Sequence, residues 1–538
     1  MKVALCSLNV SYIHKNLALR WLMVSKPDSI DAQIFEGTTE NYEKCLNEII
    51  AYNPEVLGLS CYIFNIEASK KFILNINLAL PNCRIILGGP EVTYNPDPMW
   101  EYPITGIILG EGEFSFWDAV ISNESIGYQS SYRLKTEILK TDLSQLEKLE
   151  SPYFLPFDLN DMDKRYLYVE TSRGCPYGCA YCMASLDRKV RLFSESYMDQ
   201  FFDQLKLTTV KQVKFLDRTF NVEPNRALRL GNQCLSMPNT MHFHVELVGD
   251  TLHPKLIEFF QTKALKRFRM EIGVQSFQAK TLQAVGRVCD LDKLSEVIKG
   301  FGELKAHQHT DLIAGLPYET LDLFKQSYQK LIHLKPFEIQ VGILKLLHGT
   351  VLYQLQEIYG YKAETIAPYQ ITQSKWMTFD DIKQVEYVAK ATEKCYNSQR
   401  LKPELDQLFS DINIPTFDVM AEMGYAINQL PHPYQVVEFY RALTPILNKY
   451  TNKAQTLIEL AYYRQARQKP SLIYPLDSID INMYRKFLSK YHPLAHKAIW
   501  IKDTDKVHAV IYGLDQQFWF TLSNEGDLLD ETHISYAK

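Results

Sequence analysis

The chain has 538 residues, 46% hydrophobic and 22% charged, which is enough apolar surface for sizeable cores and too much for a wholly disordered protein. Its 58 basic and 63 acidic side chains leave a formal net charge of −5. A non-specific polyanion binder should be more basic, so nucleic acid is not an expected partner. At about 100–200 residues per domain the length predicts about three domains. No apolar run reaches the ~18 residues of a membrane-crossing helix. Met1-Lys2 leads straight into the strand-like Val3-Ala4-Leu5-Cys6 rather than into a leader peptide. The expected location is the cytoplasm, with reduced thiols and no membrane partner.

Residues 1–125 alternate short apolar runs with helical stretches. Strands are predicted at Lys2–Leu8, Gln33–Phe35, Val56–Tyr62, Arg84–Leu87 and Ile104–Leu109, with helices at Lys15–Val24, Tyr42–Ala51 and Glu67–Leu80. Such alternation predicts an α/β domain, a doubly wound parallel sheet covered on both faces. Ligands on that kind of sheet bind at the carboxyl ends of the strands. Gly88, Gly89, Gly110 and Gly112 fall there, where a backbone could closely approach a large flat ligand, and plain turn chemistry is the alternative. Residues 126–160 are polar and proline-punctuated, a connector with weak structure.

A second alternation fills 161–345. Its strands are predicted at Tyr166–Thr171, Gln212–Leu216, Met241–Leu247, Arg267–Val274, His309–Ala314 and Phe337–Ile343. Six strand–helix units make a curved sheet or partial (β/α)6 barrel, whose chemistry belongs at the carboxyl ends of the strands. From 346 to 538 helical patterns dominate, at Phe379–Ser398, Gln435–Asn448 and Ala454–Gln468, with one possible hairpin from Ala509–Tyr512 and Phe518–Leu522. We read this mainly helical region as the part that caps the barrel and chooses the substrate.

Seven of the ten cysteines are scattered and read as small buried hydrophobes. The other three are clustered as Cys175-Pro-Tyr-Gly-Cys179-Ala-Tyr-Cys182, on the loop that follows the first barrel strand. Three thiolates in eight residues indicate metal. A structural zinc site normally draws a fourth ligand from a second Cys or His pair, and none stands nearby. Three thiolates and one missing ligand suit a 4Fe–4S cluster with an open iron, with a zinc site or coincidence as the alternatives.

This Cys-x3-Cys-x2-Cys loop, with the aromatic Tyr181 before its last cysteine, resembles the radical S-adenosylmethionine (SAM) superfamily over about Tyr166–Ile343. The resemblance implies that Cys175, Cys179 and Cys182 bind three irons while SAM takes the fourth, and that reductive cleavage yields methionine and a 5′-deoxyadenosyl radical. It also implies an electron donor such as flavodoxin or ferredoxin. Glu246, Glu271-Ile-Gly-Val-Gln275-Ser276, Arg287 and Asp311-Leu-Ile-Ala-Gly-Leu-Pro317 resemble oxygen-independent coproporphyrinogen dehydrogenase. In that family the matching positions contact SAM. Glu246 and Arg287 would hold the methionine end or the ribose edge, Gln275 and Asp311 the ribose hydroxyls, and Tyr168 matches an aromatic ahead of the cluster. The alternatives are a surface or ion-pair arginine for Arg287, a structural acid in a strand for Asp311, a cap for Gln275 and a helix-cap partner for Glu246. The porphyrinogen activity itself is not adopted, because that family lacks an N-terminal sheet domain of this kind.

Residues 1–125 resemble the flavodoxin-like cobalamin-binding domain that precedes the radical barrel in the branch containing anaerobic magnesium-protoporphyrin ester cyclase and several methylases. Leu57-Gly-Leu-Ser60, Ile86-Leu-Gly88-Gly89-Pro90 and Gly110-Glu111-Gly112-Glu113 carry the resemblance. Ser60 would bond the buried nucleotide tail, and the turns at Gly88, Gly89, Gly110, Glu111 and Gly112 would touch tail and corrin. Cobalt-ligating domains carry Asp-x-His-x-x-Gly after the first strand, whereas this chain reads Ser11-Tyr12-Ile13-His14-Lys15-Asn16-Leu17. No Asp stands two before His14 and no Gly three after it, so cobalamin is expected without a histidine ligand to cobalt. The leading expectation is a cobalamin-dependent radical SAM enzyme that methylates an unactivated carbon. A ring-forming or oxidising relative is the alternative, and a non-catalytic cobalamin or iron–sulfur sensor the second. Lys345-Leu-Leu-His348-Gly349-Thr350 could face the barrel mouth or be a plain turn.

Overall fold

Val3 to Asn9 are all buried, although successive side chains of a strand point to opposite faces, so this strand is covered on both sides. The computed structural model of the chain describes residues 1–122, 138–474, 481–504 and 506–536, so positions 126–137 of the expected connector lie outside the described residues. Strand β1 (Lys2–Asn9) joins β2 (Asp31–Thr38), β3 (Val56–Ser60), β4 (Arg84–Gly88) and β5 (Gly106–Ile107) in a parallel sheet of order β2-β1-β3-β4-β5. Ala4, Cys6 and Leu8 pack on one face with Ile49, Phe72 and Ile73. Val3 and Leu5 pack on the other with Leu19, Phe116 and Trp117. This order reverses between β1 and β3, and the ligand crevice of such a sheet opens at that switch.

The second sheet has six strands in the order β13-β12-β11-β10-β9-β6. They are β6 (Leu167–Val169), β9 (Gln212–Phe215), β10 (His242–Leu247), β11 (Phe268–Gln275), β12 (Gln308–Ala314) and β13 (Glu338–Ile343), and a short hairpin of β7 (Ser172–Arg173) and β8 (Arg191–Leu192) brackets the cysteine loop. Buried and half-buried residues alternate along β10, β11 and β12. Val245, Met270, Ile272 and Leu312 fill the buried face, and the half-buried face carries His244, Glu246, Glu271, His309 and Asp311. Side-chain interactions join residues of this second face across strands, so it is one lumen.

The connector is not weakly structured throughout. Its 3₁₀ turn Pro156–Asp161 buries Asp158, which accepts from Arg20 Nε and Nη2 at 2.9 Å each and pairs with Lys15 at 3.1 Å. Two buried cations from the first domain hold this segment, a contact invisible to local sequence pattern.

The chain divides into two compact units, Met1–Thr320 with Ile343–Phe379, and Leu321–Gly342 with Asp380–Lys538. The first closes with β14 (Lys362–Ala363) and β15 (Ile371–Gln373), a short antiparallel pair. In the second, helices Phe379–Ala391, Val436–Leu447 and Ala454–Gln465 lie near the expected positions, joined by Lys402–Leu408 and Thr416–Asn428. The expected hairpin is the middle of a four-stranded antiparallel sheet, β16 (Ile499–Lys502), β17 (Lys506–Tyr512), β18 (Gln516–Ser523) and β19 (Leu528–Ser535). The sequence hides β19 because Leu-Leu-Asp-Glu-Thr-His-Ile-Ser lies at the sheet edge, largely exposed and without apolar alternation. No described helix is long and apolar enough to cross a membrane.

Candidate active site

The cysteine loop is fixed from several sides. The Gly174 backbone, at φ +91°, lies so close to Lys189 that a Cβ would stand 2.4 Å from its carbonyl oxygen. Cys175 N–H donates to Asp187 O at 2.8 Å, Ala180 N–H to Val285 O at 2.9 Å, and Leu352 N–H to Ala180 O at 3.0 Å. Below the loop, buried Asp217 accepts from the Thr171 and Ser172 hydroxyls at 2.5 and 2.6 Å and from Thr171 N–H at 3.0 Å. Cys175 and Cys179 are buried and Cys182 is half-buried. Burial raises the Cys182 thiol, and Cys179 and Cys175 are near enough to raise it further.

Arg287 ties this loop to the lumen. Its Nη2 donates to Gly273 O at 2.5 Å, and its guanidinium faces Tyr181 and Cys179. The end of β11 carries a register shift between Gly273 and Gln275, and Gln275 sits at φ +71°. Such a bulge re-aims a side chain. A Cβ on Gly273 would stand 2.4 Å from Gln275 Nε2, so the amide lies across Gly273. Asp311 is held well above the usual carboxylate range by burial and by Glu271 and Glu246, with Arg287 opposing. Burial likewise pushes Glu246 up to about 7, opposed by Arg218, whose Nη1 lies 3.5 Å away. Gln275, Arg287, Glu246 and Asp311 are thus brought together at the carboxyl ends of β10–β12, beside the cysteine loop.

Around the first sheet's crevice the structure sorts the expected residues differently. Ser60 is buried and accepts from Asn16 Nδ2 at 3.1 Å, which also reaches Ser7 Oγ at 3.0 Å. Asn9 Nδ2 donates to His14 O at 3.0 Å. This polar network at the switch between β1 and β3 was missed from sequence, and polar Ser7 and Asn9 inside a buried strand were its only signal. A Cβ on Gly88 would meet nothing within 4 Å, whereas one on Gly89 (φ +108°) would lie 2.6 Å from Cys61 O and one on Gly110 (φ +95°) 2.4 Å from Leu139 O. Gly88 therefore faces open space, while Gly89 and Gly110 are required by contacts inside the protein. Gly112 makes only an ordinary contact with Ile108.

Glu111 has a duty the sequence did not show. It accepts from Thr141 N–H at 2.7 Å and pairs with Arg173 at 3.0 Å and with Arg191. Arg173 also binds Glu113 at 2.8 Å and Glu170 at 2.9 Å. The acidic turn after β5 is a clamp on the hairpin that brackets the cysteines. His14 is likewise engaged, with Nδ1 2.5 Å from the Tyr168 hydroxyl. His348 packs tilted against Tyr353 and edge-on against Tyr369 at ring distances of 4.4 and 4.7 Å, and Tyr369 donates to Glu91 at 2.5 Å.

No group of three His, Cys, Asp or Glu able to hold a single metal ion occurs among the described residues. A 4Fe–4S cluster is held by Cys thiolates. The surroundings fit such a cluster with a zwitterionic ligand. Gln275 Oε1, Asp311 Oδ1 and Arg287 Nε are buried without a hydrogen-bond partner, and groups of that kind call for a ligand. The open space at Gly88 fits a cofactor lying against the first sheet.

Comparison with known proteins agrees with this geometry. The chain matches the B12 binding domain over residues 5–118, the Radical SAM superfamily over 169–331 and a protein of unknown function family, DUF4080, over 357–502. It is 24% identical over 434 residues to an uncharacterized methyltransferase of Pyrococcus horikoshii, covering 74% of this chain and 89% of that one. It is 24% identical over 347 residues to the cobalamin-dependent radical SAM methyltransferase TokK of Streptomyces tokunonensis, covering 58% of this chain and half of TokK. Among solved structures, OxsB with aqua-cobalamin bound superposes with TM-score 0.57 at 15% identity, covering 86% of this chain and 79% of that one. TsrM of Kitasatospora setae, with cobalamin and a [4Fe-4S] cluster bound, superposes with TM-score 0.53 at 14% identity, covering 68% and 81%. The chain joins a B12-binding domain to a radical SAM domain, the pairing that carries a 4Fe–4S cluster, SAM and cobalamin, and it is an enzyme homologous to the cobalamin-dependent radical SAM methyltransferases.

Proposed function

We propose that this enzyme transfers a methyl group to an unactivated carbon of a small molecule. The observation that carries the reading is the meeting of the cysteine loop with buried atoms of Gln275, Asp311 and Arg287 that have no hydrogen bond, at one end of the lumen, although Asp311 Oδ1 lies 3.6 Å from His309 Nε2. Cys175, Cys179 and Cys182 would hold the 4Fe–4S cluster. Arg287 and Glu246 would bind the carboxylate and ammonium of SAM, and Gln275 and Asp311 its ribose hydroxyls. Tyr181, between Arg287 and the cluster, would exclude water. Ser60 and Gly88 would receive the nucleotide tail of cobalamin. When bound, the cluster with SAM supplies a hydrogen-abstracting radical and cobalamin supplies the methyl group.

His14, expected not to ligate cobalt, spends Nδ1 on Tyr168. Leu352, within residues 344–379, donates to Ala180 O and so helps to hold the cysteine loop. We place the enzyme in the cytoplasm, with flavodoxin or ferredoxin as electron donor.

The test uses anaerobically reconstituted full-length protein with cobalamin, SAM and reductant. S-adenosylhomocysteine together with 5′-deoxyadenosine supports methylation, whereas 5′-deoxyadenosine alone would assign a ring-forming or oxidising reaction. A cobalt(II) spectrum with nitrogen superhyperfine splitting would overturn the unligated lower face.

A further inference from the structure

Beneath the proposed SAM site the lumen carries a second polar layer. Register sets Tyr168 beside Lys214, Lys214 beside His244, and His244 beside Arg269, across β6, β9, β10 and β11. Two residues further along, Glu246 stands beside Glu271, and Glu271 beside His309. The cationic layer therefore lies about 7 Å deeper than the acidic one, at about 3.3 Å per residue. Interiors of such barrels are ordinarily filled by branched apolar side chains. Here all four positions of the deeper layer are polar and only half-buried, as expected where a ligand completes the packing.

Lys214 is the group that most needs a partner. Among the described residues its ammonium forms no ion pair, and it lies 4.4 Å from the centre of the Tyr166 ring. Burial and the like charge of Arg269 lower its pKa, with Glu271 opposing. Glu271 is already committed to His244, 3.2 Å away. The first domain adds His14 to the same place. Its ring stacks on Tyr168 at 6.0 Å and meets Tyr166 edge-on at 5.6 Å, and Lys214 is near enough to depress its protonation. Two domains thus build one floor with a lysine ammonium, a tyrosine hydroxyl and an imidazole.

We propose that this floor binds an anionic group of the substrate, a carboxylate or phosphate, on Lys214 with the His14–Tyr168 pair beside it. The substrate's anionic end is then buried deep in the lumen and its reacting carbon lies at the level of Glu246 and Asp311, next to SAM. The inference rests on the methylase reading and adds the class of substrate to it.

The test is calorimetric titration of the anaerobically reconstituted full-length protein, loaded with cobalamin and SAM, with succinate, inorganic phosphate and uncharged succinamide. Saturable binding of succinate or phosphate but not succinamide is expected. Lys214→Met should weaken that binding about tenfold or more, as loss of a charge-assisted contact does, while Lys214→Arg retains it. SAM affinity should be the same in all three proteins. Neither anion binding to the wild type, or equal binding by K214M, overturns the proposal. So does a K214M protein with weakened SAM affinity, which would give Lys214 to the cofactor. Iron content, cobalamin content and SAM cleavage are measured on the same wild-type sample. If those fail, the methylase reading falls; if they hold and the anions do not bind at Lys214, only the substrate class falls.

Discussion

Replacing Arg173 by Met tests whether the acidic turn after β5 clamps the cysteine hairpin. The guanidinium, with 11% of its side chain exposed, meets Glu111, Glu113 and Glu170 at 3.0, 2.8 and 2.9 Å. Each such pair is worth about 5 kcal/mol of Coulomb energy at an effective dielectric of about 20, before desolvation is subtracted. Removing one partner of a buried pair typically costs about 3–5 kcal/mol, because the remaining charge is left uncompensated. Here Glu113 and Glu170 would lose this arginine while Glu111 keeps only Arg191, so R173M should lie at the upper end of that range. Glu111→Gln removes the charge that both arginines share, but it leaves Arg173 two acids and Arg191 its pair with Asp187 at 3.0 Å, and the amide oxygen still accepts, so about 1.5–3 kcal/mol is expected. Glu170 is already raised by burial, with Arg173 holding it down. In R173M the acids would titrate higher still, so acidification should relieve the defect. Urea unfolding of the full-length protein, followed by near-ultraviolet circular dichroism, should show R173M well below E111Q at pH 8 and a smaller gap at pH 6. Equal losses in the two variants, or a gap that widens on acidification, would refute the reasoning.

Three further substitutions test the site. Gly89→Ala forces a Cβ to 2.6 Å from Cys61 O at φ +108° and should cost about 1–3 kcal/mol of stability; Gly88→Ala meets open space and should leave the unfolding midpoint unchanged while lowering cobalamin retention on desalting, so retained cobalamin in G88A would remove the tail from that crevice. Glu246 titrates at about 7 against an ordinary 4.5, so the folded state holds a proton that the unfolded chain releases, and stability from this group falls as pH rises through that window. Glu246→Gln should therefore be more stabilising at pH 8 than at pH 5, and it should flatten a SAM affinity that in the wild type rises between pH 6 and 8; a pH-independent difference in stability would show that Glu246 is not buried as described.

Much of the fold is legible in local pattern. Strands covered on both faces must be continuously apolar, which is why β1 and β3 stand out, and the lumen strands betray themselves by His244 and Glu246 at every second position of β10 and by Arg269 and Glu271 at every second position of β11. The cysteine triplet needs no tertiary knowledge, because its three thiols lie within eight residues and reach their partners through one loop. Tertiary structure decided what local pattern cannot carry. It turned Gln275 inward through a bulge at the end of β11, gave Gly89 and Gly110 their reasons in backbone contacts, and spent Glu111 on Arg173 and Arg191, 62 and 80 residues away. It bound Asp158 to Arg20, joined the edge strand β19 to the sheet, and aligned Tyr168, Lys214, His244 and Arg269 into one layer. Periodicity records which face of an element is buried; which charges meet depends on strand order and register, and these are set by the packing of the whole domain.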